Sequence, residues 1–289
     1  VAALKDIRRK IRGIQKTRQI TKAMNMVAAA KFKNSHLKME NFLPYGEGIA
    51  SLAANLIGSS DLEGHPLFAT AELSPKVRLV VFSSDRGLCG GFNNNLFKFT
   101  QQFFRRQVAS GREVVISPVG RKGWEFFRKK ELPLEDLRGL AEGDLLASSQ
   151  AITARLMEVF QAGKGEEIYL LFNRFLNVSL QRPVAERFLP LQSEGTGVAA
   201  VREEFIFEPS REELLTRILP IYLTSRIHRV FLETQTGENG ARMVAMDNAT
   251  KNCDEMSSVL TLKLNKARQA AITAELMDIV GGAEALAQA

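Results

Sequence analysis

Residues Leu4–Lys31 read LKDIRRKIRGIQKTRQITKAMNMVAAAK, and their spacing decides the architecture. Leu4, Ile7, Ile11 and Ile14, then Thr21, Met24 and Ala28, recur at steps of three, four or seven. Those steps put the residues on one narrow stripe of a helix, a heptad-like seam made for a second helix. The positions between are mostly charged or polar. Pro44 is expected to kink or break the helix, because proline lacks the amide hydrogen that the ladder needs. Ile49, Leu52, Ala53 and Leu56 predict that it resumes and ends at Gly58, so 1–58 is assigned to an N-terminal coiled-coil helix.

The other end of the chain mirrors the first. Ser210, with Glu213 three residues on, predicts a capping box at a helix start just after Pro209. Further along, Met246, Ala249, Cys253, Met256, Leu260, Leu264, Ala267, Ala271 and Ala274 recur at steps of three or four, with one stutter of two four-residue steps through Leu260 and Leu264. A C-terminal coiled-coil helix is assigned to 209–289. Pro220 should bend it, and Gly237 and Gly240 predict a break within 235–241. The first helix ends where the middle begins and the second begins where the middle ends, so the two seams can only pair antiparallel.

The middle, 70–208, changes period. A buried run from Lys76 precedes a helical pattern at 93–107, an apolar run at 112–120 a helical pattern at 121–130, and a further helical pattern at 144–163 the strand-like runs 166–175 and 178–190, with Pro183 near a bend or edge. Strand and helix in alternation predict a small α/β domain on a largely parallel sheet.

With 45% hydrophobic and 25% charged residues the chain belongs to the globular class. It has no apolar run of about 18 residues, the length a membrane-spanning helix needs. Cys89 and Cys253 are its only cysteines and lie far apart, so neither a disulfide framework nor a zinc site is expected. Charge is unevenly spread. Residues 1–40 hold eleven Lys or Arg against Asp6 and Glu40, a surplus of nine, which leaves the other 249 residues net negative by two within a total of +7. A basic helix of this kind calls for an acidic partner: nucleic acid, a lipid surface or an acidic protein collar.

Signals of catalysis are weak. The glycine-rich turn in Asp85–Asn93, DRGLCGGFN, follows a strand and precedes a helix, a position suited to phosphate. It contains neither G-x-G-x-x-G nor G-x-x-x-x-G-K-[ST], and a tight turn needs glycines in any case. His36, His65 and His228 share no metal-ligand spacing and are expected at the surface, and Cys89 is expected to be a structural thiol. No paired acid and base stands out. Phe32 is the sole aromatic residue among the first 41, too few for a surface that stacks bases.

Three stretches carry a resemblance that extends over essentially the whole chain: Ile7–Lys31, Ser83–Asn93 (SSDRGLCGGFN) and Asn265–Leu286 (NKARQAAITAELMDIVGGAEAL). In that order they resemble the gamma chains of bacterial F-type ATP synthases. The resemblance implies a long antiparallel coiled coil of the N- and C-terminal helices attached to a Rossmann-like α/β domain. It implies a central rotor shaft that couples proton-driven rotation of the c-ring to conformational change in the catalytic ring, with no active site, cofactor or metal of its own. The implied partners are the alpha and beta chains of the catalytic hexamer, the epsilon chain and the c-ring, with no nucleic acid, peripheral to a bacterial inner membrane on its cytoplasmic side. The implied catalytic-ring contacts are Arg268, Gln269 and Met24, and the implied c-ring or epsilon contacts are Phe205, Phe207 and Glu208. The alternative from the residues alone is an α/β nucleotide-binding enzyme with a coiled-coil oligomerisation arm, which tight ATP binding by the isolated chain would distinguish.

Overall fold

The computed structural model describes residues 2–58, 67–68, 75–141, 143–162, 166–191, 208 and 210–287. Two long helices bracket a sheet. Helix α1 spans Ala2–Gly58 and α5 spans Arg211–Ala287. Between them come β1 (Lys76–Val81), α2 (Phe92–Ala109), β2 (Glu113–Pro118), α3 (Arg121–Arg128), a 3₁₀ turn (Arg138–Ala141), α4 (Leu145–Ala162), β3 (Glu167–Phe175) and β4 (Gln181–Leu189).

The helices differ from expectation in continuity. Pro44 lies inside α1 without ending it, and its exposed position leaves the unbonded carbonyl one turn back to the solvent side. Helix α5 runs unbroken past Pro220 and through 235–241. At Gly240 a β-carbon would meet Val178 O at 3.4 Å and Phe32 Cδ2 at 3.5 Å; at Gly237 it would press on Phe92 Cε2 at 3.1 Å and Gln181 Cγ at 3.2 Å. Close neighbours on this buried stretch of α5 supply the stability that two glycines withdraw, so packing overrides propensity.

Contacts divide the chain into two compact units, residues 1–28 with 243–289, and residues 29–242. In the second unit the sheet order is β2-β1-β3-β4, with β1 parallel to β2 and β3, and β4 antiparallel to β3. Pro183 pairs with Asn173 on the outermost strand, where a missing amide hydrogen is tolerated. Period-two alternation gives the sheet two apolar faces. Val77, Leu79 and Val81 of β1 pack with Leu96 and Phe97 of α2 and Phe127 of α3. Val80 and Phe82 turn to the larger core, which holds Ile152 and Leu156 of α4, Ala53 and Ile57 of α1, and Leu219, Leu223 and Ile227 of α5.

The capping signal at the start of α5 is half realised. Ser210 Oγ accepts from the Glu213 amide at 3.3 Å, while the Glu213 carboxylate pairs forward with Arg217 at 2.6 Å.

Candidate functional site

The unit formed by residues 1–28 and 243–289 is an antiparallel helix pair, and its polar contacts fix the register. Arg18 pairs with Asp254, Thr21 Oγ1 lies 2.8 Å from Thr250 Oγ1, and Asn25 Nδ2 donates to Met243 O at 2.8 Å. As the number on α1 rises, its partner on α5 falls. Leu4, Ile7, Ile11 and Ile14 are half-buried, and Thr21 and Ala28 are buried. On α5 the seam runs through Cys253, Ser257, Leu260, Leu264, Ala267 and Ala271 in strict four-three alternation. Met256 and Ala274, expected on the seam, are exposed, Met256 at 56%. With Ser257 in place of Met256 the stutter disappears. A small polar residue at the helix interface gives no hydrophobic signal, which is why spacing alone chose its apolar neighbour.

Small residues at Ala267 and Ala271 narrow this part of the seam, while Arg268 and Gln269 both point to solvent. Neither side chain makes an ion pair or hydrogen bond among the described residues. Met24 is half-buried and Glu208 exposed; Phe205, Phe207 and His65 lie outside the described residues. The structure therefore brings Met24 and its seam neighbours together and holds Arg268 and Gln269 outward on the same unit.

In the second unit the turn after β1 is filled by the protein's own groups. Asn93 Oδ1 accepts from the Ser84 amide at 3.2 Å, and Asn93 Nδ2 donates to Ser84 Oγ at 2.6 Å. Arg242 on α5 donates to the carbonyls of Arg86 and Gly87 at 3.3 and 3.2 Å and pairs with Glu238 at 2.7 Å. Burial raises the Glu238 carboxyl above its ordinary value, against the lowering effect of Arg242. Cys89 is buried, and burial pushes its thiol up, away from the reactive thiolate form. Gly120 is obligatory, since a β-carbon there would sit 2.0 Å from Ser83 O. Leu88, with φ of 63°, projects from the turn at 65% exposure. The Ser84 amide is taken by Asn93 and the Phe92 amide by the Cys89 carbonyl at 3.2 Å, and Arg242 holds the turn against α5 through its carbonyls.

His36 and His228 correct the surface assignment. His36 stacks on Phe32 with ring centroids 5.4 Å apart. His228 meets the Phe42 ring edge at 4.8 Å, and its Nδ1 lies 3.2 Å from Ser149 Oγ. His36 also lies 5.7 Å from the Phe175 ring at the end of β3, and His228 sits between helices, places where an imidazole offers a flat apolar body with a polar rim. Arg242 gives no signal in the sequence because the carbonyls it binds lie 155 and 156 residues away.

No helix among the described residues is long and apolar enough to cross a membrane. A family model described as ATP synthase matches residues 3–286. The ATP synthase gamma chain of Syntrophus aciditrophicus (strain SB) is 48% identical over 291 residues, covering 100% of both chains. That of Pelotomaculum thermopropionicum is 40% identical, over 98% of this chain and 99% of its own. Among solved structures, a chain of the Euglena gracilis mitochondrial ATP synthase (OSCP/F1/c-ring, rotational state 3) superposes with a TM-score of 0.67 at 18% identity, over 99% of this chain and 95% of that one. One from the Tetrahymena thermophila mitochondrial ATP synthase (central stalk and c-ring) gives 0.57 at 23% identity, over 80% and 99%. At such identities the structural likeness speaks for the fold.

Proposed function

The chain belongs to the ATP synthase gamma-chain family, and from that premise we propose that it is the central rotor shaft of a bacterial F-type ATP synthase, a coupler that carries no catalytic residues itself. One geometric observation carries the reading: the N- and C-terminal helices pair antiparallel, with Arg18–Asp254, Thr21–Thr250 and Asn25–Met243 fixing their register and Lys5, Arg8, Arg9, Lys16, Lys22 and Arg268 turned outward. A pair locked in register resists sliding between its strands, as a shaft under torque must.

In this reading Arg268, Gln269 and Met24 meet the catalytic ring, and Phe205, Phe207 and Glu208 meet the c-ring or the epsilon chain. The basic surplus of α1 meets acidic surface on the catalytic ring, and the complex sits on the cytoplasmic face of the inner membrane. Rotation changes the catalytic sites because each angular position offers different contacts to each subunit, and a partner shifts an equilibrium only through its differential affinity for the states. The direct test is affinity purification of the tagged chain from membranes. Recovery of the alpha, beta, epsilon and c chains at fixed stoichiometry is expected; recovery of the chain alone, from cells whose ATP synthase is intact, would end the reading.

A further inference from the structure

Glu186 of β4 is the hub of a charge cluster that joins the sheet to α5. Arg174 of β3 pairs with one of its oxygens. The other lies 2.6 Å from Arg229 and 3.9 Å from Arg226, both on α5. Arg229 also reaches Glu233, one turn further along α5, at 3.3 Å, and Glu233 accepts from the Phe175 amide at the end of β3 at 3.1 Å. Arg226 donates to the carbonyls of Arg187 and Phe188 at 2.6 and 3.4 Å. Three successive turns of α5 are thus tied to two adjacent strands by oriented bonds.

Burial alone would raise the Glu186 carboxyl; Arg229, with Arg174 and Arg226, reverses this and holds it below the ordinary value, so the hub is charged. Net stability does not account for such a cluster, because desolvation offsets most of the attraction in a buried pair and apolar residues of similar volume often serve as well. Direction does account for it. The apolar contacts between sheet and α5 are non-directional, and a small slip along them costs little while area is conserved. A guanidinium–carboxylate fork loses its bonds when either partner shifts or rotates.

We propose that Glu186, with Arg174, Arg226, Arg229 and Glu233, is a torsional joint: these are positioning residues that make the sheet and α5 turn as one body under load. The proposal rests on the rotor reading. It is tested on the assembled, surface-held complex, with a gold particle attached through Gln102→Cys on the exposed face of α2 and its angular variance recorded during catalytic pauses.

Gln keeps one oxygen to accept a weaker, neutral bond and turns an NH2 donor toward the arginine on the other side, so Glu186→Gln should at least double the variance. Arg174→Gln, which removes one arm of the hub, should give an intermediate value. Wild-type variance in an assembled Glu186→Gln complex overturns the joint. If that variant does not assemble, wild-type variance in Arg174→Gln overturns it equally. A wild-type complex that hydrolyses ATP without turning the particle overturns the rotor reading instead.

Discussion

His228 lies among three helices, with Phe42 of α1 at its edge, Ser149 of α4 at Nδ1 and the Leu145 carbonyl nearby. Burial pushes its pKa below 6.5, although the Leu145 carbonyl and Asp144 act the other way. The unfolded chain therefore binds a proton at a higher pH than the folded one. Stability contributed by neutral His228 is full above about pH 6.5 and declines as pH falls from there toward the folded value. His228→Gln should flatten this part of the stability–pH curve, read from urea midpoints between pH 7.5 and 5.5; an unchanged slope would show that other groups set it. Gly240 offers a second single-residue test. Its missing β-carbon would make ordinary contacts of 3.4–3.5 Å, so Gly240→Ala should stabilise α5 by about 0.8–1 kcal/mol, seen as a higher midpoint with an unchanged m-value. Gly237→Ala gains the same helix preference but must displace Phe92 and Gln181, and should be close to neutral.

Thr21 and Thr250 face each other across the seam, and Thr250 also donates to Met246 O at 2.8 Å, so the pair belongs to both the interface and its own helix. A double-mutant cycle of Thr21→Val and Thr250→Val should give a coupling of about 0.5–1.5 kcal/mol, with the double variant near wild-type stability, because both polar partners leave together. A coupling near zero would assign the register to Arg18–Asp254 and Asn25 instead. The long helices were legible in the sequence from a period, Leu4 to Ile14 at three and four; the α/β alternation from short apolar runs between helical patterns; and the antiparallel pairing from the order of the segments along the chain. Continuity was not, because Pro44, Gly237 and Gly240 are breakers whose effect depends on neighbours that only the fold supplies. The candidate site divides in the same way. Arg268 and Gln269 could be placed on an outer face from the Ala267–Ala271 seam. The Arg242 strut and the Glu186 joint could not, since their members stand in separate elements with no shared spacing and each charge alone reads as solvated surface.

At the scale of the molecule the charge is segregated: nine surplus positive charges in the first 40 residues, within a chain of +7 overall. Association of the chain with a preformed catalytic ring should therefore slow steeply as salt rises from 50 to 300 mM, since screening shortens the range of steering from about 14 Å to about 6 Å. Once the chain is seated, work depends on contacts that differ with angle. Arg268 carries a planar fork and Gln269 an amide, both exposed and free of intrachain side-chain partners among the described residues, on a helix backed by Ala267 and Ala271. Such groups can bond loops of a surrounding subunit in one orientation and release them in another. Arg268→Ala with Gln269→Ala removes no core residue, so folding, the Arg18–Asp254 register and co-purification with the c-ring should be unchanged. Each charged hydrogen bond lost should withdraw about 1.5–3 kcal/mol from the angular states it favours, which flattens the differences between states on which coupling depends. ATP synthesis and hydrolysis by the assembled double variant should both fall at least tenfold, because about 1.4 kcal/mol already corresponds to a factor of ten. Reversion of Arg268 alone should restore more of the rate than reversion of Gln269, since only the guanidinium brings charge to its bonds. Wild-type turnover in a fully assembled double variant would remove both residues from the mechanism and leave Met24 and the basic face of α1 as the remaining candidates for contact with the ring.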